Sequence, residues 1–231
     1  MPKTVRIAEI DCCRGIAILL MIVFHLVFDL AYFYHWPLTY LDGFWYYQGK
    51  TAAILFMLLS GISSLFSSNP FRRGIMILAT GAVISMATYF YDPASYIRFG
   101  TLHLLGVAML ASPLFIQLKA VELLIAGTVI IATGRLTATL TTPTTYLLPL
   151  GISPPDFASL DYYPLIPWLG IVLYGMAAGK LIYRNKQPKF PAAGAYRPVQ
   201  WLSRLGKHSL IIYLVHQPIL LLFLLAVYKL K

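Results

Sequence analysis

Long runs of apolar residues alternate with short polar segments along the chain. A run of roughly 20 apolar residues matches a hydrocarbon layer ~30 Å thick, where a helix pairs its own backbone polar groups. Glycine, proline and aspartate punctuate the breaks between these runs. The pattern predicts seven transmembrane helices, at residues 14–34, 49–68, 73–91, 100–118, 119–134, 164–183 and 206–228.

One long segment lacks this pattern. Residues 136–163 are rich in threonine and proline and are too polar to span a bilayer. We expect an external loop there, with a re-entrant or interfacial piece as one alternative. No internal repeat is present, so we predict a single domain over residues 1–231, an all-α polytopic membrane helical bundle.

Composition supports a multi-pass protein of the cell membrane. Hydrophobic residues make up 59% of the 231 positions and charged residues only 11%. A soluble domain usually carries about 25% charged residues. The first apolar run leads directly into others of the same kind, so we do not interpret it as a cleaved signal peptide.

The distribution of charge argues for a lipid partner. The net charge of +10 would also suit nucleic acid, but the longest basic stretch, 180–207, lies between two apolar runs. That position indicates contact with anionic lipid headgroups, so we expect the lipid bilayer and no nucleic acid as a partner. With seven spans and the N-terminus inside, thirteen Lys and Arg residues lie on the cytoplasmic side and five outside. We therefore predict a cytoplasmic N-terminus and an external C-terminus.

Ionisable side chains at membrane depth are costly and commonly functional. His25 lies near the middle of the first span, and Asp29 follows at i+4 on the same helix face. A carboxylate beside an imidazole fixes its tautomer and raises its basicity, as in a general base. The alternative is a buried pair that only joins helices.

A second histidine lies at the outer end of the same helix. His35 stands between Tyr34 and Trp36, and its aromatic neighbours by themselves favour an interfacial residue in an aromatic belt.

Two later spans carry further candidates. Arg98 and His103 begin the fourth span, where the helix dipole favours an anion, either a carboxylate or a phosphate. A histidine packed at the helix end is the alternative. In the last span His216 and Tyr213 share a face, and Pro218 leaves nearby carbonyl groups unpaired. This pattern favours a functional interior face.

The inner end of the first helix carries Asp11 and Arg14. They form either an i, i+3 ion pair that caps the helix or a site in which Arg14 binds a phosphate. The sequence contains no Walker motif, no GxSxG elbow, no Cys/His nucleophile pair and no metal-ligand cluster.

Three sets of residues in the sequence resemble those of one family. The first is Glu9-Ile-Asp11-Cys-Cys-Arg14-Gly15-Ile-Ala-Ile, followed by His25 and Asp29. The second comprises Arg98-Phe-Gly100-Thr-Leu-His103-Leu-Leu-Gly106 and Asp161-Tyr-Tyr-Pro164-Leu-Ile-Pro167-Trp168-Leu-Gly170. The third is Leu205-Gly-Lys-His-Ser209-Leu-Ile-Ile-Tyr213-Leu-Val-His216-Gln217-Pro218, which is also similar to the ending of acyltransferase-3 proteins. Together they resemble the heparan-α-glucosaminide N-acetyltransferase-like proteins of the transmembrane acyltransferase superfamily.

The resemblance implies acetyl-CoA-dependent transfer across the membrane, with CoA on the cytoplasmic side and the acceptor on the far side. In the animal lysosomal enzyme an essential histidine lies near the outer end of the equivalent helix, and an asparagine lies deeper. His25 falls on the asparagine position, and His35 falls within one residue of the histidine position.

From this we expect an acyltransferase that moves an acetyl group from acetyl-CoA to an amine or hydroxyl acceptor, a carbohydrate by preference. The expected CoA-binding residues are Arg14, Arg72, Arg73, Arg98, His103 and His216. The expected catalytic residues are His35, His25 and Asp29. His35 is narrowly favoured as the base, and either direct attack or an acyl-imidazole intermediate is open.

An alternative function is a proton-coupled transporter or flippase of an anionic or acylated solute. Buried His and Asp residues would suit a proton relay. The usual sign of such a transporter, matching broken helices in two halves, is absent from the sequence. A homodimer is compatible with the predicted acyltransferase.

Overall fold

The computed structural model describes residues 7–185 and 187–229, and this part of the chain is all-helical. Its eight α-helices are α1 (Ala8–Tyr34), α2 (Gly43–Ser64), α3 (Pro70–Tyr91), α4 (Thr101–Phe115), α5 (Ala120–Thr137), α6 (Leu165–Ile182), α7 (Arg197–Lys207) and α8 (Ser209–Lys229). Two short 3₁₀ turns add to them, at Leu148–Leu150 and Pro191–Ala195. The predicted all-α fold is confirmed.

Five of the described helices are long and apolar enough to cross a membrane, namely α1, α3, α5, α6 and α8. Helix α4 is apolar but has only 15 residues, and α2 does not belong to the five. The membrane bundle is therefore confirmed, whereas the count of seven spans stays a prediction. The topology prediction also uses Lys3, Arg6, Lys186 and Lys231, which lie outside the described residues.

Helix α7 was not predicted from the sequence, which left most of its residues in a basic loop. It has 11 residues, with Pro198 in its first turn and basic residues in its last turn. A segment so short and so charged gives no hydrophobic run of membrane length. Its apolar positions form only one face, and this face packs against α1. The sequence of α7 alone does not show that packing partner.

The described residues divide into two compact units, which we describe separately. Unit 1 lies within Met57–Gln187, and unit 2 lies within Arg6–Phe56 and Pro188–Lys231. Helix α2 runs without a break through the boundary. The single-domain prediction is not tested by this division.

In unit 1, glycines let helices approach backbone to backbone. A Cβ atom at Gly61 would meet the carbonyl group of Val172, and one at Gly175 would meet that of Leu58. Small residues at such crossings are how membrane helices gain van der Waals contact without a hydrophobic driving force. A buried core of Leu123, Leu173, Met176 and Ala177 fills the space between α5 and α6.

In unit 2, helix α1 is the central element and packs against α7 and α8. Ser203 donates a hydrogen bond to the Ala8 carbonyl at 2.9 Å. The Glu9 carboxylate accepts from the backbone N–H groups of Lys189 and Phe190 at 2.8 and 2.9 Å. These bonds connect α7 and the segment before it to the start of α1. The buried residues Ile18, Met21 and Ala52 form a core farther along α1.

A buried polar cluster as the candidate active site

Helices α1 and α8 bring two histidines together inside unit 2. The ring centroids of His25 and His216 are 4.8 Å apart, with the planes tilted by 60°. His216 is 7% exposed. The sequence assigned these residues to different roles, His25 to catalysis and His216 to CoA binding. The structure places them side by side in one cluster, which also includes Asp29 and Gln217.

The carboxyl group of Asp29 is fully buried, at 0% exposure. Its Oδ1 accepts a hydrogen bond from Gln217 Nε2 at 2.6 Å. The sequence had placed Asp29 as the partner of His25, and among the described residues these two form no hydrogen bond. Gln217 follows His216 on α8, so the amide reaches the carboxyl group while the His216 ring packs against His25. Asp29 is therefore hydrogen-bonded to Gln217 on α8 and not to His25, the partner that the i, i+4 spacing predicted.

The orientation of His216 follows from its hydrogen bond. Its Nδ1 lies 2.8 Å from the Tyr213 carbonyl oxygen. A carbonyl can only accept, so Nδ1 carries the proton and donates it. In the neutral ring Nε2 then has a free lone pair, and this atom is buried with no hydrogen-bond partner in the part of the chain that the structure describes. A histidine held in this way is a suitable proton acceptor, because the hydrogen bond at one nitrogen sets the chemistry of the other.

Several other polar atoms of the cluster also lack a hydrogen-bond partner among the described residues. They are His25 Nδ1, Asp29 Oδ2 and Gln217 Oε1; Gln48 Oε1, on α2, is a further unpaired atom of unit 2. Gln48 Nε2 donates to the Leu20 carbonyl at 2.6 Å, which holds its amide in place. Buried polar atoms are nearly always paired in folded proteins, and an unpaired one costs a few kcal/mol. Their concentration in one place indicates a site that binds a polar ligand.

His35 occupies a different place. It ends α1 in the left-handed conformation (φ 54°, ψ 33°) and is exposed; histidine is among the non-glycine residues that tolerate this region. Nearby, Tyr34 stacks on Tyr228 at 3.9 Å, and Trp36 Nε1 donates to the Tyr228 hydroxyl at 2.5 Å. Ten residues of α1 separate His35 from His25, about 15 Å along the axis. The structure does not bring His35 to the cluster.

Arg14 is partnered within α1. Its Nη1 lies 2.7 Å from Asp11 Oδ1, and the two side chains are 15% and 10% exposed. This is the i, i+3 ion pair that the spacing suggested. Asp11 Oδ2 is buried without a hydrogen-bond partner among the described residues.

Arg72 and Arg73 lie in the first turn of α3, in unit 1, and are exposed. The Asn69 side chain accepts from the Arg72 backbone N–H at 3.0 Å and caps this helix. Their predicted role in phosphate binding stays a prediction.

At the start of α4, where the sequence predicted a bound anion, a carboxylate of the protein itself is hydrogen-bonded to the helix. The Asp161 carboxylate accepts from the Thr101 backbone N–H at 2.8 Å and lies 3.3 Å from its hydroxyl. The Arg98 guanidinium stacks over Tyr96 at 4.5 Å and donates to the Ala158 carbonyl at 3.4 Å. The start of α4, which the sequence predicted to bind an anionic ligand, therefore has hydrogen-bond partners within the protein.

Both ring nitrogens of His103 also have polar partners within unit 1. Its Nδ1 accepts from the Gly100 backbone N–H at 3.2 Å. The Nε2 proton of the neutral ring then faces the Ser85 hydroxyl, at 3.3 Å. These contacts match the alternative of a histidine packed at the helix end. Across the described residues no group of three His, Cys, Asp or Glu side chains is placed to hold a metal ion.

Gln217 was not selected as a site residue from the sequence, because its side chain does not titrate. The available signal was an amide within an apolar run, where an unpaired polar group is costly. Gln217 was noted only as part of its helix.

Comparison with known families identifies a family to which this chain is similar. The family model of the heparan-alpha-glucosaminide N-acetyltransferase catalytic region matches residues 6–218. This range covers nearly the whole chain, including all of α1 and the part of α8 that carries the buried histidine and amide. No curated protein and no solved structure matches the chain.

Proposed function

The chain belongs to the heparan-α-glucosaminide N-acetyltransferase catalytic family, and from that premise we propose that it transfers acetyl from acetyl-CoA with the His25–His216 pair as proton acceptor. Membership makes it a membrane acetyltransferase. The donor, the acceptor and the histidine role are the proposal. The acceptor would be an amine or hydroxyl group, by preference on a sugar, as the name of the family suggests.

The observation that carries the proposal is the buried histidine pair, in which His25 Nδ1 and His216 Nε2 have no hydrogen-bond partner among the described residues. The acceptor nitrogen or oxygen would attack the thioester carbonyl carbon, and the carbon–sulfur bond would break. The acceptor proton would pass to Nε2 of His216, whose other nitrogen is held by the Tyr213 carbonyl. The CoA thiolate would leave and then be protonated from the histidine pair. General bases of this kind contribute about 10²- to 10⁴-fold in rate.

Asp29 and Gln217 would support the charge that develops. The Gln217 amide fixes one carboxyl oxygen of Asp29, and the second oxygen has no partner among the described residues. When ionised, this group would favour a positive charge on a nearby imidazole or on an acceptor amine. Such an interaction is far stronger in a low-dielectric interior than in water.

The donor would enter from the cytoplasm at the end of unit 2 where α1 begins. Arg14 lies there and would contact a CoA phosphate while remaining near Asp11. This placement rests on the predicted topology, with the N-terminus cytoplasmic in the cell membrane. Arg14 precedes His25 by 11 residues, about 16 Å along the helix axis, and the CoA arm would have to span this distance.

The test uses purified protein in lipid vesicles with acetyl-CoA and glucosamine as the trial acceptor. CoA release should be measured by chromatography rather than with a thiol reagent, because Cys13 is exposed. We expect His216→Asn to lower kcat by about 10²- to 10⁴-fold while acetyl-CoA binding is retained. His25→Asn should also be impaired, whereas His35→Ala should keep most of its activity.

His208→Asn is a matched control. Its Nδ1 also lies against a backbone carbonyl, that of Arg204 at 2.9 Å, but the side chain is exposed. If His35→Ala is inactive while His25→Asn and His216→Asn are active, the base is at the outer end of α1. If no CoA is released, the transporter alternative gains support, and proton-coupled uptake into vesicles should then be measured.

A further inference from the structure

Helix α7 presents a cationic face that no part of the proposed reaction uses. Arg197, Trp201 and Arg204 are spaced i, i+4 and i+7 and so lie on one side of the helix. Lys207 flanks this stripe, and the three cationic side chains are exposed. Trp201 is 55% exposed, which is unusual for the largest apolar side chain.

The opposite face of α7 is fully engaged with α1. Ser203 and Gly206 are buried, and Ser203 donates to the Ala8 carbonyl at 2.9 Å. A Cβ atom at Gly15 would meet the carbonyl group of Leu202. The apolar face of the helix is therefore used within the protein, and only the cationic face remains for an external partner.

The surrounding sequence contains no acidic residue to neutralise this face. Asp161 is the last acid in the chain, and every charged residue after it is Lys or Arg. The Glu9 carboxylate is bonded to two backbone N–H groups of the segment that precedes α7. A cationic surface without internal counter-ions attracts anions from outside.

The position of α7 points to the membrane surface. A single residue, His208, separates α7 from α8, which is long and apolar enough to span the bilayer. On its other side α7 packs against the first two turns of α1, a second such helix. The starts of two candidate spans thus hold α7 at the level where hydrocarbon gives way to headgroups. Tryptophan and basic residues are the side chains typical of that level.

We propose that the Arg197–Trp201–Arg204–Lys207 face of α7 binds the headgroups of anionic phospholipids. The guanidinium and ammonium groups would contact lipid phosphates, and Trp201 would lie among the glycerol and upper acyl groups. Because the apolar face is already packed on α1, binding is electrostatic and does not need deep insertion. This inference does not depend on the proposed acetyl transfer.

The electrostatic character gives the expected size of the effect. A basic residue near an anionic membrane surface contributes ~1 kcal/mol, which corresponds to roughly fivefold in binding. Each neutralised cation on this face should therefore weaken the preference for anionic lipid by up to about fivefold. Added salt should do the same, because exposed charges are screened.

The experiment measures quenching of Trp201 fluorescence by brominated lipids around the full-length protein in vesicles. The signal of Trp201 is the difference between wild type and Trp201→Phe. Brominated phosphatidylglycerol is compared with brominated phosphatidylcholine, which gives their relative binding constant at α7. We expect a constant above one in wild type that falls towards one in Arg197→Gln/Arg204→Gln and at high salt.

Two controls isolate the surface. Arg197→Lys/Arg204→Lys keeps the charge and should keep the preference, and Arg135→Gln removes an exposed cation from α5 and should change nothing. A wild-type constant of one, or no response to salt, would overturn the proposal without relying on any variant. Loss of the phosphatidylglycerol preference on addition of free CoA would assign the face to the soluble donor instead.

Discussion

Gly206→Ala tests whether close backbone contact holds α7 against α1. Gly206 is buried, and a Cβ atom placed there would meet the Asp11 carbonyl oxygen and lie 2.7 Å from the Asp11 carbonyl carbon and 3.0 Å from the Gly15 nitrogen. All three atoms belong to the α1 backbone. They cannot rotate away as a flexible side chain would, so the helices must separate.

The expected cost follows from two opposing effects. Overpacking a tight contact costs typically 1–3 kcal/mol, and a rigid helix backbone argues for about 3 kcal/mol. Alanine is favoured over glycine inside a helix by ~1 kcal/mol. The net destabilisation is therefore about 2 kcal/mol, which corresponds to a fall of roughly 4–8 °C in Tm for a chain of this size.

Thermal unfolding of the purified protein in detergent checks this value. Gly194→Ala is the matched control, because it adds the same methyl group to unit 2 at a position with nothing within 4 Å. That variant should melt at the wild-type temperature or slightly above it. If Gly206→Ala melts no lower than Gly194→Ala, the close packing of α7 on α1 is refuted.

Two further predictions concern individual hydrogen bonds. Gln217→Leu leaves the buried Asp29 carboxyl group without its amide partner, and it should lower stability by ~1.5 kcal/mol, near the upper end for bonds between membrane helices. Asp29→Leu in the same protein should recover part of the loss, and failure to recover would mean that the two side chains are not coupled. Burial raises the pKa of the Tyr162 phenol to about 12, and its hydroxyl donates to the Leu148 carbonyl at 2.8 Å. Because this pKa is raised above the ordinary value of 10.0, the contribution to stability is complete below that pH and is lost as the pH rises through about 12. The difference titration between wild type and Tyr162→Phe should show this midpoint, and a midpoint at the ordinary value would exclude the burial.

The sequence by itself determined the all-α class and the membrane environment. Apolar runs of bilayer length and helical periodicity are local properties, since every backbone hydrogen bond of a helix is made within a few residues. Family membership was also visible in short motifs, such as the one that opens α1. The positions of His25, Asp29 and His216 within apolar runs also identified them from the sequence as polar groups at membrane depth. The sequence did not predict α7, because its one apolar face is short and is recognised only when its packing against α1 is known.

Only the tertiary structure decided which polar groups meet. Asp29 and Gln217 are 188 positions apart, and their bond at 2.6 Å depends on how α1 and α8 are rotated and how closely they pack. The same arrangement set His25, one turn before Asp29, against His216, the residue before Gln217, and left His35 at the exposed end of α1. Asp161 likewise satisfied the start of α4 from 60 positions away. Helix rotation and crossing are set by side-chain fit between elements distant in sequence, and no local pattern encodes them.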